Sequence, residues 1–181
     1  MRTVAKGLLA AGVAALAWVG LGGCFWISKD LPATTTVFFS DLIGNVDGPG
    51  EVTVTVAQVP CDGLAALAVG WGGIGLRFDP AQFQVTDVQG VNGFVVLAKF
   101  IDNTGGEVRF VAVNPGAGVA TGDVVRIIGA RLGAGDAGLT VEEGNLQLAG
   151  ACGDLVATYE LTTGRGAQYF VKEGQGCAGW D

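Results

Sequence analysis

From Thr35 onward, apolar and polar side chains alternate at a spacing of two, and no stretch shows the spacing and caps of an amphipathic helix. The segment EVTVTVAQV (51–59) is the clearest case. Val52, Val54 and Val56 alternate there with Thr53 and Thr55, as in a strand with one buried face. Similar runs are TTVFFS (35–40), GIGLRF (73–78), FQVTDV (83–88), FVVLAKFID (94–102) and EVRFVAVN (107–114). DVVRIIGARL (123–132), LTVEEGNLQL (139–148), VATYELT (156–162) and AQYFVKE (167–173) follow. Gly, Asn and Asp punctuate these runs, as strand-to-turn boundaries require. NTGG joins 94–102 to 107–114, with Gly105 and Gly106 expected at positive φ in a tight hairpin. DGLAALAVGWGG (62–73) fits either a helical turn or a Gly-rich strand. The expectation is an all-β, jelly-roll-like sandwich of two antiparallel sheets and about nine strands, spanning 35–181.

The hairpin of 94–102 and 107–114 breaks the simple alternation, because it is apolar on both sides. Strict alternation puts Phe94, Val96, Ala98 and Phe100 on one side, and Val95, Leu97 and Ile101 on the other with Lys99 between them. A sheet with one wet face should not look like this. Either a loop or tail covers the second face, or that face receives another molecule. Val95, Leu97, Lys99, Ile101, Arg109 and Val111 form the candidate binding face.

Composition narrows the chemistry. The chain has 32 glycines, no histidine and a formal charge of −7. The glycines suit many tight turns, and the negative charge disfavours a nucleic-acid partner. Without histidine a serine triad is excluded, and zinc would need four ligands that no C-x-x-C pair supplies. Glu142 and Glu143 are adjacent, so on a strand they point to opposite faces; Asp79 and Asp87 flank one strand. No catalytic residue and no cofactor is therefore assigned. The oxygen-rich set Asp102, Asn103 and Asp136 is a minor calcium candidate that lacks EF-hand spacing. Trp71, Tyr159, Tyr169 and Trp180 are candidates for a sugar-stacking platform, although a Trp in a Gly-rich strand more commonly fills a core.

The first 34 residues have a different organisation. Arg2 and Lys6 precede an apolar, Gly-containing run (7–23) that is short for a membrane span. A positive start, a short apolar centre and small residues before a cut site describe an export signal helix. Leu21, Gly22, Gly23 and Cys24 resemble the lipobox of bacterial lipoproteins. That resemblance implies a signal peptide over 1–23, a lipidated Cys24 and a tether over 24–34. It also implies a bacterial cell-envelope location, with Phe25 favouring the outer membrane in double-membraned bacteria.

The segments EVTVTVAQV, GLRFDPAQFQVTDV, NGFVVLAKFIDNTGGEVRFVAVNP, ATGDVVRIIGARL and GLTVEEGNLQL together resemble the cohesin domain. Phe78, Asp79 and Pro80 match its aromatic-Asp-Pro turn, and Gly122, Asp123 and Ile127 or Ile128 match a later strand opening. The resemblance implies one sheet made of 83–88, 94–102, 107–114 and 139–148, whose outer face binds dockerin modules in cellulosomal members. It also implies a last strand running parallel beside 51–59, which would bring Cys61 and Cys177 close. A hairpin about TGRG instead places Cys152 opposite Cys177, so both disulfide pairings stay open. The functional expectation is a lipid-anchored, non-catalytic module that binds an envelope protein or mediates surface adhesion. An envelope carbohydrate-binding module and a purely structural lipoprotein are the alternatives.

Overall fold

The computed structural model describes residues 35–60, 62–142, 145–153, 156 and 159–164. The signal segment, Cys24, Cys61, Cys177, Tyr169, Trp180 and the run 167–173 all lie outside these residues. The described residues are all β: β1 Thr35–Phe39, β2 Ile43–Gly44, β3 Gly48–Ala57, β4 Leu64–Val69, β5 Leu76–Arg77, β6 Phe83–Gly90, β7 Val95–Asp102, β8 Glu107–Val113, β9 Gly122–Arg131, β10 Leu146–Gly150 and β11 Tyr159–Thr163.

They form a sandwich of two sheets. The first has the order β11-β1-β3-β9-β6, with β2 paired to β3. In the second, β10 pairs with β4, β4 and β5 both pair with β8, and β7 pairs with β8. Segment 62–73 thus resolves as strand β4 and the start of a loop. This loop, 70–75, interrupts what would otherwise be one strand running along β8.

Alternation sets the inner faces. Val52, Val54 and Val56 of β3 are buried with Val37 and Phe39 of β1 and Ile127 of β9. Across the core stand Leu67 and Val69 of β4, Val108, Phe110 and Ala112 of β8, and Leu148 of β10. Burying a large apolar side chain of this kind contributes about 1.5–3 kcal/mol.

Four expectations need correction. First, the sheets are not wholly antiparallel, since β11 runs parallel to β1. The later run 167–173, on whose placement beside 51–59 the Cys61–Cys177 pairing depends, lies outside the described residues. Second, 83–88 leaves the sheet it was expected to join: β6 pairs with β9 in the first sheet. The turn before it makes the crossing. Asp79 accepts hydrogen bonds from the Gln82 and Phe83 amides through its carbonyl, and from the Ala81 amide (2.8 Å) through its carboxylate. This turn buries Phe78 and Phe83 edge to face at 5.9 Å. Third, among the described residues of 139–148 a strand begins only at Leu146, with Thr140 bridging Arg77 earlier. Fourth, Gly106 alone takes positive φ (65°) in the hairpin turn; Gly105 does not.

Candidate functional site

The two sheets present different outer faces. On the first sheet the outward positions of β3 and its partners include Thr53, Thr55, Arg126 and Gln89. These are polar, and Thr55 donates to Asp123 at 2.8 Å. On the second sheet the outward cross-strand pairs are Val95 with Val113, Ala98 with Val111, and Phe100 with Arg109. Ala66 and Ala68 of β4 continue this apolar surface opposite Val113 and Val111.

A β-bulge decides which residues of β7 reach that surface. The register passes from Val96 opposite Ala112 to Ala98 opposite Val111, so Leu97 is an extra residue. One extra residue inverts the facing of everything after it. Ala98 and Phe100 therefore join the outer face, contrary to strict alternation. Ile101 turns inward and packs on the core. Lys99 falls opposite the inward-facing Phe110, and at the sandwich edge its ammonium pairs with Asp87 of β6. Of the six residues expected on the binding face, Val95, Arg109 and Val111 lie on it. Leu97 sits at the bulge, 66% exposed, whereas Lys99 and Ile101 belong to the other side.

Trp71 and Phe100 were missing from the expected face, and both belong to it. Trp71 is 67% exposed on the 70–75 loop and Phe100 is 52% exposed, so Trp71 fills no core. The loop is fixed at both ends. Gly70 and Trp71 donate their amides to the Asn145 carbonyl (2.7 and 3.3 Å), and the Gly75 amide donates to the Glu107 carboxylate (2.7 Å). Gly70 has φ of 91°, and a Cβ there would lie 2.7 Å from the Arg109 side chain. Only glycine lets this loop lie along the arginine stem. Ala68 of β4 lines the space between the loop and β8, and an LAALAV run beside a Gly-flanked Trp is the sequence signal for it.

Arg109 organises the charge. Its Nε donates to Glu107 at 2.6 Å, and its guanidinium stands 5.4 Å above the Phe100 ring, a stacked cation–π arrangement. The Arg109 and Gly75 N–H groups hold the Glu107 carboxyl below the usual range, and Glu107 raises Arg109 in turn. Glu107 is only 12% exposed at its side chain, against 40% for Arg109, so the cation is what the surface presents. Between the loop, β7 and β8 lies a shallow depression of about 290 Å³, bounded by Ala68, Trp71, Ala98, Phe100, Arg109 and Val111.

Other candidate chemistry is spent elsewhere. Asp87 accepts from Lys99, Gln89 and the Val88 amide, which brings it to about 2. The Asn103 amide both donates to and accepts from the Val85 backbone at 2.8 Å. Asp102 caps its own turn through the Thr104 and Gly105 amides, and Asp136 lies by Asp41 and Arg131 in a different depression. Among the described residues no three acidic or cysteine side chains gather as a metal set. Tyr159 is buried, which removes it as a platform. Cys152 is exposed in the turn after β10, and its candidate partner Cys177 lies outside the described residues.

No protein-family model matches the sequence, and no curated protein matches it. Solved structures do match. The second type II cohesin module of the cellulosomal adaptor scaffoldin of Acetivibrio cellulolyticus is similar with a TM-score of 0.55 at 12% identity, over 72% of this chain and 94% of that one. A type I cohesin of Clostridium thermocellum, solved in complex with a dockerin, gives 0.54 at 13% identity over 71% and 94%. A non-cellulosomal cohesin of the archaeon Archaeoglobus fulgidus gives 0.52 at 15% identity over 72% and 86%. The described domain is a cohesin-like β-sandwich.

Proposed function

We propose that this chain is a non-catalytic binding module that holds a protein partner on the outer face of its second sheet. We further propose that it is displayed on a bacterial envelope through a lipid on Cys24. The observation that carries the binding reading is the asymmetry of the two outer faces. One is a polar surface of Thr, Gln and Arg; the other is an apolar strip of Val, Ala and Phe with one cation at its end. Interfaces have this anatomy, an apolar centre with aromatic and Arg anchors and a polar surround. The Clostridium thermocellum relative was solved holding a dockerin, which makes a dockerin-like protein the first partner class to try.

Photocrosslinking in the native envelope tests the reading. A benzoylphenylalanine placed at Val95, on the apolar face, should trap a discrete protein; the same group at Thr53, on the polar face, should not. Equal trapping from both faces, or trapping from Thr53 alone, would overturn the assignment of the face.

A further inference from the structure

We infer that the depression between the 70–75 loop, β7 and β8 is an anchor site for a protein segment that places a carboxylate side chain beside an apolar one. The inference rests on the binding role proposed above and specifies the partner's chemistry. Its floor is apolar, from Ala68, Ala98 and Val111, and its walls are the Trp71 and Phe100 rings. An inserted aliphatic or aromatic side chain would be desolvated there, and Trp with Arg is the pairing that most often dominates interface energy.

Charge selects the second element. Arg109 is the charged side chain presented to the depression; Lys99, at its margin, spends its ammonium on Asp87, and no acidic side chain lines it. This cationic spot sits on a chain whose formal charge is −7. Glu107 engages only Nε of Arg109; the two terminal nitrogens make no hydrogen bond to any described residue. A guanidinium held by stacking and by one carboxylate is pre-oriented to bind a second carboxylate.

The same lining argues against two other ligands. Arg only donates hydrogen bonds, so the hydroxyl protons of a neutral sugar would find no side-chain acceptor in the lining. A nucleic-acid strand would bring a run of phosphates against a net-negative protein.

Panning the full chain with a phage-displayed dodecapeptide library tests the assignment, with Trp71→Ala, Arg109→Glu and Arg109→Lys chains in parallel. Wild type should enrich peptides with Asp or Glu next to Leu, Phe or Trp. Synthetic copies of these should lose about thirtyfold or more in affinity on Trp71→Ala and on Arg109→Glu, and less on Arg109→Lys. The Arg109→Glu chain should instead enrich Lys or Arg at the acidic position, a reversal that misfolding cannot mimic. Basic or uncharged peptides that still depend on Trp71 would overturn the acidic partner while leaving the face a binding surface. Peptides that ignore Trp71 and Arg109 but fail on Val113→Asp would move the contact elsewhere on that face and overturn the anchor site. Polygalacturonate binding with the same Trp71 and Arg109 dependence would reassign the site to an acidic polysaccharide. No enrichment at all would count against both the anchor and the face.

Discussion

Asn103 shows how a single side chain can stand in for a strand. Its amide donates to the Val85 carbonyl and accepts from the Val85 amide, both at 2.8 Å, which completes the edge of β6 from within the β7–β8 turn. A polar backbone pair left without partners costs about 1–3 kcal/mol. Asn103→Ala should therefore lower unfolding free energy by about 1–2 kcal/mol in urea titration, while peptide binding at Trp71 stays at the wild-type level. A loss within about 0.5 kcal/mol would mean that water replaces the amide. Nothing in the sequence advertises this role, because an Asn in an NTGG turn reads as a turn former and no more. Arg109 was visible as an outward residue of its strand. Its partners were not: Glu107 is two residues away on the same strand, but Phe100 reached it only through a change of register.

At the scale of elements, the bulge in β7 separates what the sequence revealed from what it hid. Strand β3 keeps a polar–apolar rhythm along its length, so its position and faces were legible, whereas β6 and β9 cross register shifts of their own. Phase is lost in FVVLAKF, where apolar residues fill both parities and nothing marks which one is buried. Since the pairings on each side of Leu97 are already in phase with each other, deleting Leu97 should leave Phe100 opposite Arg109 and Ile101 inside. Cross-strand NOEs between Phe100 and Arg109 in the deletion variant would check this, and Lys99 pointing outward would contradict it. The inward turn also joins two edge strands, because Lys99 of β7 meets Asp87 of β6 at the margin of the sandwich. Mainly through the Lys99 hydrogen bond, Asp87 falls from 3.8 to about 2. A depressed carboxyl stabilises the fold above its unfolded value and stops doing so as pH drops through the folded value. Stability should therefore decline between pH 3.8 and about 2, and Lys99→Met should flatten part of that decline in acid melts. Glu107, also lowered, keeps the remainder. An unchanged slope in Lys99→Met would show that the exposed pair is screened by solvent.

Over the whole molecule, the binding face and the proposed lipid anchor make separate demands that one substitution can pull apart. A shallow apolar face with a single cationic anchor is not a deep pocket, and on its own it suits modest affinity. Attachment to a surface changes the arithmetic. A module and partner confined to one envelope meet at a raised effective concentration, so weak contacts hold without new ones being made. The tether expected over 24–34 spans at most about 40 Å when extended, which would keep the sandwich within reach of neighbours in the same layer. Cys24→Ser removes the thiol that would carry the lipid at a position outside the described sandwich. In detergent phase separation the wild type should enter the detergent phase, and the variant should appear in the aqueous phase or retain its leader. Mass spectrometry of the wild type should show an acylated first residue. Purified Cys24→Ser protein should bind the acidic peptides as tightly as wild type, yet capture less partner in cells. Detergent partitioning and mass unchanged by the substitution would remove the anchor and leave the binding face to be judged alone.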